Sequence, residues 1–221
     1  MASVTKSHVA AARRRRAEAI ERVLAAVESM LEDGERFTEL PVGRIAAESG
    51  IPRSTFYQYF PNKSQLLIHV AALASETFFS APLSWFNDPE SPSRGVVGVE
   101  QAIGTMLREY RSHWTVMRAL DELSSYDPEI AEFWIGRINE YISMMGGIVD
   151  GWQKAGAIGS QVDPYGATTG LVWMVERTIS QHVLRPTGDA AVSDEQLVTS
   201  LSRIIWLAYY DDQPRNRRDS T

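Results

Sequence analysis

The chain has 221 residues, 44% of them hydrophobic and 23% charged, with a formal net charge of −6 and no cysteine. The absence of cysteine excludes disulfides, thiolate metal sites and cysteine nucleophiles. No run approaches the roughly 18 apolar residues of a membrane helix and the N-terminus lacks an apolar signal-peptide core, so a cytoplasmic protein with no membrane partner is expected.

In chain order, residues 1–12 are small and polar with no periodicity, which predicts a disordered arm. The run Arg13–Arg16 then leads into a helix whose apolar residues Ile20, Val23, Leu24, Val27, Met30 and Leu31 recur at three and four. With Lys6, the arginines give the first 16 residues a charge of +5 and no acid. Such a run is either a solvated helix end or an arm for DNA phosphates or the minor groove.

The next stretch, VGRIAAESGIPRSTFYQYFPN from Val42 to Asn62, has the local grammar of a helix-turn-helix. Ile45, Ala46 and Ala47 give a first short helix a small apolar face, Gly50 supplies a C-terminal positive φ, and Pro52 opens a second helix to about Tyr59. Phe56 and Phe60, at i and i+4, face inward, which leaves Arg53, Ser54, Thr55, Tyr57, Gln58 and Tyr59 outside. Arginine pairs bidentately with guanine and glutamine with adenine, while serine and threonine reach base edges or thymine methyls. The tyrosine hydroxyls and Lys63 suit phosphates, and Arg44 joins them as a DNA-binding candidate on the first helix.

The segment IAAESGIPRSTFYQYFPNKSQLL, Ile45 to Leu67, resembles the DNA-binding motif of the TetR family of bacterial transcriptional regulators, with the Ala-rich helix, Gly50, the TFYxYF block and the Asn-Lys pair in register. The resemblance covers about the first third of the chain and implies a helix-turn-helix domain, a two-fold homodimer and a double-stranded DNA operator. One departure stands out. The family usually begins its second helix with a phosphate-holding Ser or Thr, whereas Leu40-Pro41 occupies that place here.

Beyond the reader, Asn62 with Gln65 is a capping-box variant that starts a helix through Leu66, Leu67, Val70, Leu73, Ala74 and Phe78, the expected link to the second domain. Asn62-Lys63-Ser64 also fits a glycosylation acceptor, but a helix start is the better reading. Pro, Ser, Gly and Asp then predict a loop over 80–98, with Trp85 and Phe86 tucked against the second domain. The expected division is therefore an arm at 1–12, a DNA-binding domain with its linking helix at 13–79, and a ligand-binding and dimerisation domain at 80–221. The charge divides at the same place, +1 for residues 1–79 and −7 for 80–221.

The second part again reads helical: Val99 to Tyr110, Trp114 to Leu123, a long helix opened by Asp127-Pro128-Glu129 and closed by Gly156, another opened by Asp163-Pro164 and stopped before Pro186, and a last one capped by Ser193 and Gln196. No segment keeps a period of two, so the fold class expected is all-α with about nine helices. All six tryptophans lie beyond residue 80. Aromatic stripes are commonly core, yet these occur with Met106, Tyr110, Met145 and several glycines, a mixture suited to a cavity for a lipophilic ligand.

RSHWTVMRA, DPEIAEFW and MVERT, starting at Arg111, Asp127 and Met174, are similar to the ethionamide-resistance-repressor subgroup of the family. That similarity implies an elongated aromatic-lined channel, with Met106, Trp134, Ile138, Tyr141, Met145 and Trp206 at channel-lining places, and Val172 and Val175 where the subgroup carries polar amides. Tyr110, Trp114 and Trp173 complete the ligand-binding candidates, and the last two helices resemble the family's dimerising pair. Glu176-Arg177, inside the apolar run GLVWMV, is either an interface pair or a polar ligand anchor; adjacent residues on a helix do not face each other.

No HExxH, P-loop or GxSxG occurs, and His8, His69, His113 and His182 are isolated. The expected protein is therefore no enzyme and has no cofactor beyond a non-covalent lipophilic effector. It is a ligand-responsive DNA-binding regulator, with a ligand-sequestering or scaffold protein lacking specific DNA binding as the alternative.

Overall fold

The computed structural model describes residues 2–86, 95–159, 162–185 and 192–210. Every regular element among them is helical, without a strand: α1 (Ala2–Glu32), a 3-10 helix (Phe37–Glu39), α2 (Val42–Glu48), α3 (Arg53–Tyr59), α4 (Lys63–Ala74), α5 (Glu76–Phe86), α6 (Gly95–Ser112), α7 (Trp114–Ser124), α8 (Pro128–Lys154), α9 (Pro164–Leu184) and α10 (Asp194–Tyr210). The helix expected over 62–79 is two, broken at Ser75, which accounts for the one α-helix beyond nine.

The chain forms two compact units, residues 1–73 with 115–133 and residues 74–114 with 134–221. The first is built on Phe56, Phe60, Leu66, Leu67, Leu120 and Ile130, all fully buried. Burying each is worth about 1.5–3 kcal/mol. In the second, α6 packs on α5, α9 and α10 around Ile103, Met106, Leu107 and Tyr110.

Start signals hold in detail. Asn62 Oδ1 accepts from the Gln65 amide at 2.7 Å, although the Gln65 side chain turns to Glu129 instead of completing the box. Asp127 Oδ1 accepts from the amides of Glu129 and Ile130 at 3.0 and 3.4 Å. Ser193 and Gln196 make the reciprocal pair, at 2.9 and 3.2 Å. Asp163 accepts from the Gly166 amide at 2.6 Å, and Gly156, at φ +73°, ends α8.

Three expectations need correction. The arm expected to be disordered over 1–12 continues α1 from Ala2, since Ala2, Ala10, Ala11 and Ala12 favour helix and no Gly or Pro interrupts them. The loop expected over 80–98 is helical through Phe86 and again from Gly95, and 87–94 lies outside the described residues. Pro82 sits inside α5, where its missing N–H costs about 3 kcal/mol; burial of Phe78, Phe79 and Trp85 on the same helix offsets that cost. Lys63–Leu83 is long and apolar enough to cross a membrane by length and hydropathy, contrary to the sequence expectation, but half of it is buried inside the protein.

Candidate nucleic-acid interface and apolar cavity

The first unit presents α3. Gly50, at φ +64°, turns the chain out of α2, and the Ile51 amide reaches back to Ala46 O at 3.0 Å, closing the helix end over a buried Ile51. Pro52 in extended geometry precedes Arg53. Phe56 then points inward and packs on Phe60, ring centroids 5.4 Å apart. Helical geometry therefore forces Arg53, Ser54, Tyr57 and Gln58 outward, and all four are exposed; Thr55 and Tyr59 are half-buried beside them. Arg53 leans on Tyr57, with its guanidinium 5.7 Å from the ring centre and a long 3.5 Å bond to the hydroxyl.

The two remaining DNA candidates are engaged elsewhere. Arg44 makes a bidentate pair with Glu35 at 2.6 and 2.8 Å, which raises its pKa. Lys63, expected on phosphate, donates to Phe37 O at 2.6 Å and Thr38 O at 3.0 Å and sits 4.9 Å from the Phe37 ring centre. Partial burial pushes its ammonium down. Pro41 is the N-cap of α2 and offers no side-chain bond, as its missing hydroxyl requires.

A contact not foreseen comes from the basic run, whose Arg16 lies over Tyr59 with 5.4 Å from guanidinium to ring centre. The run therefore stands on a helix beside α3. Its only advance signal was charge.

The second unit encloses an apolar cavity with about 600 Å³ of empty space, counted to its open mouth. From α5 come Phe78, Phe79, Pro82 and Trp85, and from α6 Val99, Ala102, Ile103 and Met106. Tyr141 and Met145 of α8, with Ile205 and Tyr209 of α10, add a second wall. The face of α9 completes it with Thr168, Leu171, Val172, Val175 and Glu176. Burial pushes the hydroxyls of Tyr141 and Tyr209 up, so both stay protonated. Tyr209 is tied to Thr168 Oγ1 at 3.0 Å. Gly98 lets the α5 wall close, since a Cβ there would fall inside the Trp85 indole.

Of the nine ligand candidates the cavity brings together Met106, Tyr141 and Met145. Tyr110 packs on Phe78 and Trp134 on Phe79, at 5.7 and 5.6 Å, and Ile138 is fully buried; all three stand behind the lining. Trp206 stacks on Tyr210 at 4.0 Å. Trp114 and Trp173 are exposed. Periodicity marks an apolar face but does not separate residues facing a void from residues facing a neighbouring helix. The α5 wall was missed because Pro82 read as a breaker, although Phe78, Pro82 and Trp85 keep the i, i+4, i+7 spacing. As expected for adjacent helical positions, Glu176 is buried on the cavity and Arg177 exposed.

Comparison with known proteins agrees with both halves. The C-terminal domain of the transcriptional regulator EthR matches residues 99–210, half of the chain, and the bacterial regulatory proteins of the tetR family match residues 24–70. The HTH-type transcriptional regulator EthR of Mycolicibacterium smegmatis is 28% identical over 84% of this chain and 82% of its own. Among solved structures, a TetR-family regulator from Mesorhizobium loti superposes with a TM-score of 0.66 at 17% identity, covering 90% of this chain and 98% of its own. AibR, solved with isovaleryl coenzyme A and operator DNA, gives 0.57 at 18% identity over 85% and 98% of the two chains. An outward α3 after a glycine turn, a helical second unit around an apolar cavity and these matches lead to one assignment: the chain belongs to the TetR family of bacterial regulatory proteins, with a C-terminal domain of the EthR type.

Proposed function

We propose that this protein is a ligand-responsive transcriptional repressor that binds a palindromic operator as a homodimer and is released by a lipophilic small molecule. It acts in the cytoplasm and is not an enzyme. The observation that carries the reading is the outer face of α3, where Arg53, Ser54, Tyr57 and Gln58 are exposed around a helix anchored by a fully buried Phe56. Those side chains have no packing duty that would explain them, and they are the types that read base edges.

One such helix contacts too few base pairs to find a site in a genome, so a two-fold pair of readers is needed. The second unit offers a surface for pairing. On α9, Tyr165 and Trp173 are exposed at i and i+8 with Thr169 between them, and on α10 Ile204 and Leu207 are exposed one turn apart. Exposed apolar residues repeated on adjacent helices suit an isologous interface.

The effector works only by differential affinity. It must bind the DNA-incompetent conformation more tightly than the competent one. The chain itself supplies a route, because α5, which walls the cavity, continues from α4 through Ser75 alone. Footprinting on genomic DNA tests the reading. Two protected half-sites about 34–36 Å apart are expected, and protection without sequence preference would overturn it.

A further inference from the structure

We propose that the cavity selects a lipophilic ligand whose polar end is uncharged or cationic and donates a hydrogen bond to Glu176, and that it rejects carboxylates and acyl-coenzyme A thioesters. The proposal rests on reading the cavity as the effector site and adds the chemical class of the effector.

Among the described residues that line the cavity, Glu176 alone carries a charge; no Lys, Arg or His stands with it. Its side chain belongs to a stripe along α9 in which Thr168, Val172 and Glu176 follow one another at intervals of four. The rise of a helix places the two ends of that stripe about 12 Å apart. At one end are Thr168 and the hydroxyl of Tyr209, bonded to each other at 3.0 Å, and at the other is Glu176, 6% exposed. Val172 and Val175, with Phe78, Phe79 and Ile103 opposite, keep the middle apolar. An elongated ligand thus meets an acceptor at one end and weak hydroxyl partners at the other.

An anionic head meets the wrong environment throughout. It would leave water for a wall without a countercharge, where the same low dielectric that strengthens a correct pair penalises an unpaired ion. Near Glu176 it would also place two carboxylates in one enclosure, and one of them would have to take up a proton. An ammonium or an amide N–H has neither problem. AibR is solved with isovaleryl coenzyme A; the charge of this cavity argues for a different ligand here.

Isothermal titration of the full chain at pH 7 with decylamine, methyl decanoate and decanoate, each below its micellar concentration, tests this. Decylamine is expected to bind most tightly, the ester next, and decanoate at least about tenfold more weakly than the ester, the factor that one pKa unit represents. Glu176→Gln, with its fold checked by circular dichroism, should lower decylamine affinity and raise that of decanoate. Decanoate binding as tightly as the ester in the unaltered protein overturns the charge selection and leaves the cavity standing. Failure of all three to bind overturns the effector-site reading and the proposal with it.

Discussion

Lys63 shows how a single side chain can change its role between pattern and structure. Its place after the reader suits a phosphate contact, yet its ammonium spends two protons on Phe37 O and Thr38 O. Such charge-assisted bonds are worth about 1.5–3 kcal/mol each. Lys63→Ala is therefore expected to lower unfolding stability by about 2 kcal/mol in urea titrations, while the salt dependence of DNA binding moves by less than the one unit of slope a lost phosphate contact removes. A full unit lost with stability unchanged would return Lys63 to the phosphate. Arg53→Ala and Gln58→Ala belong to the other class: each should cost about 1–3 kcal/mol at the operator and relax one base position, read from competition binding against single-base variants. The inward pair Phe56 and Phe60 was legible because helical spacing alone decides it. The end points of Lys63 and Arg44 were not, since a long flexible side chain is placed by neighbours distant in sequence.

At the scale of elements, legibility followed the locality of the cause. Caps at Asn62, Asp127, Asp163 and Ser193 were readable because donor and acceptor lie within three residues. The helix through Pro82 was not, because what stabilises α5 is burial against the rest of its unit. Asp194, in the first turn of α10, joins both kinds of effect. It pairs with Arg111 of α6, accepting from Nη2 at 2.9 Å, and with His182 Nε2 of α9 at 2.8 Å. The Arg111 guanidinium, with His182 second, holds its carboxyl below the usual carboxylate range. A carboxyl depressed in the folded state contributes stability above its unfolded pKa, about 3.9, and loses it as pH falls through the lower folded value. Asp194→Asn should therefore lower the melting temperature at pH 7, with the difference from the unaltered protein closing in the acid range below about pH 4. Thermal melts across pH 2 to 7 follow this directly, and a difference constant across the range would show that the carboxylate's charge is not the cause.

For the whole molecule, the charge split of +1 against −7 proved a sound guide, because net charge reports on partners even where it says nothing of packing. What it left out was which side of each helix does what. α9 shows the consequence most clearly. Its Thr168, Val172 and Glu176 side lines the cavity, while Tyr165, Thr169 and Trp173 face outward. Trp173→Glu places a charge in the centre of that outward stripe and is expected to shift sedimentation from dimer to monomer and abolish operator binding, with ligand affinity retained; an intact dimer would move the interface elsewhere. A helix about 10 Å across is then a shared partition, with a guest on one side and a second copy on the other. Reciprocity is a thermodynamic necessity: whatever factor the guest applies to the association of the subunits, the association applies to the guest. The potency of an effector would then depend on how much of the protein the cell contains, so that dilution of the regulator becomes a signal in its own right.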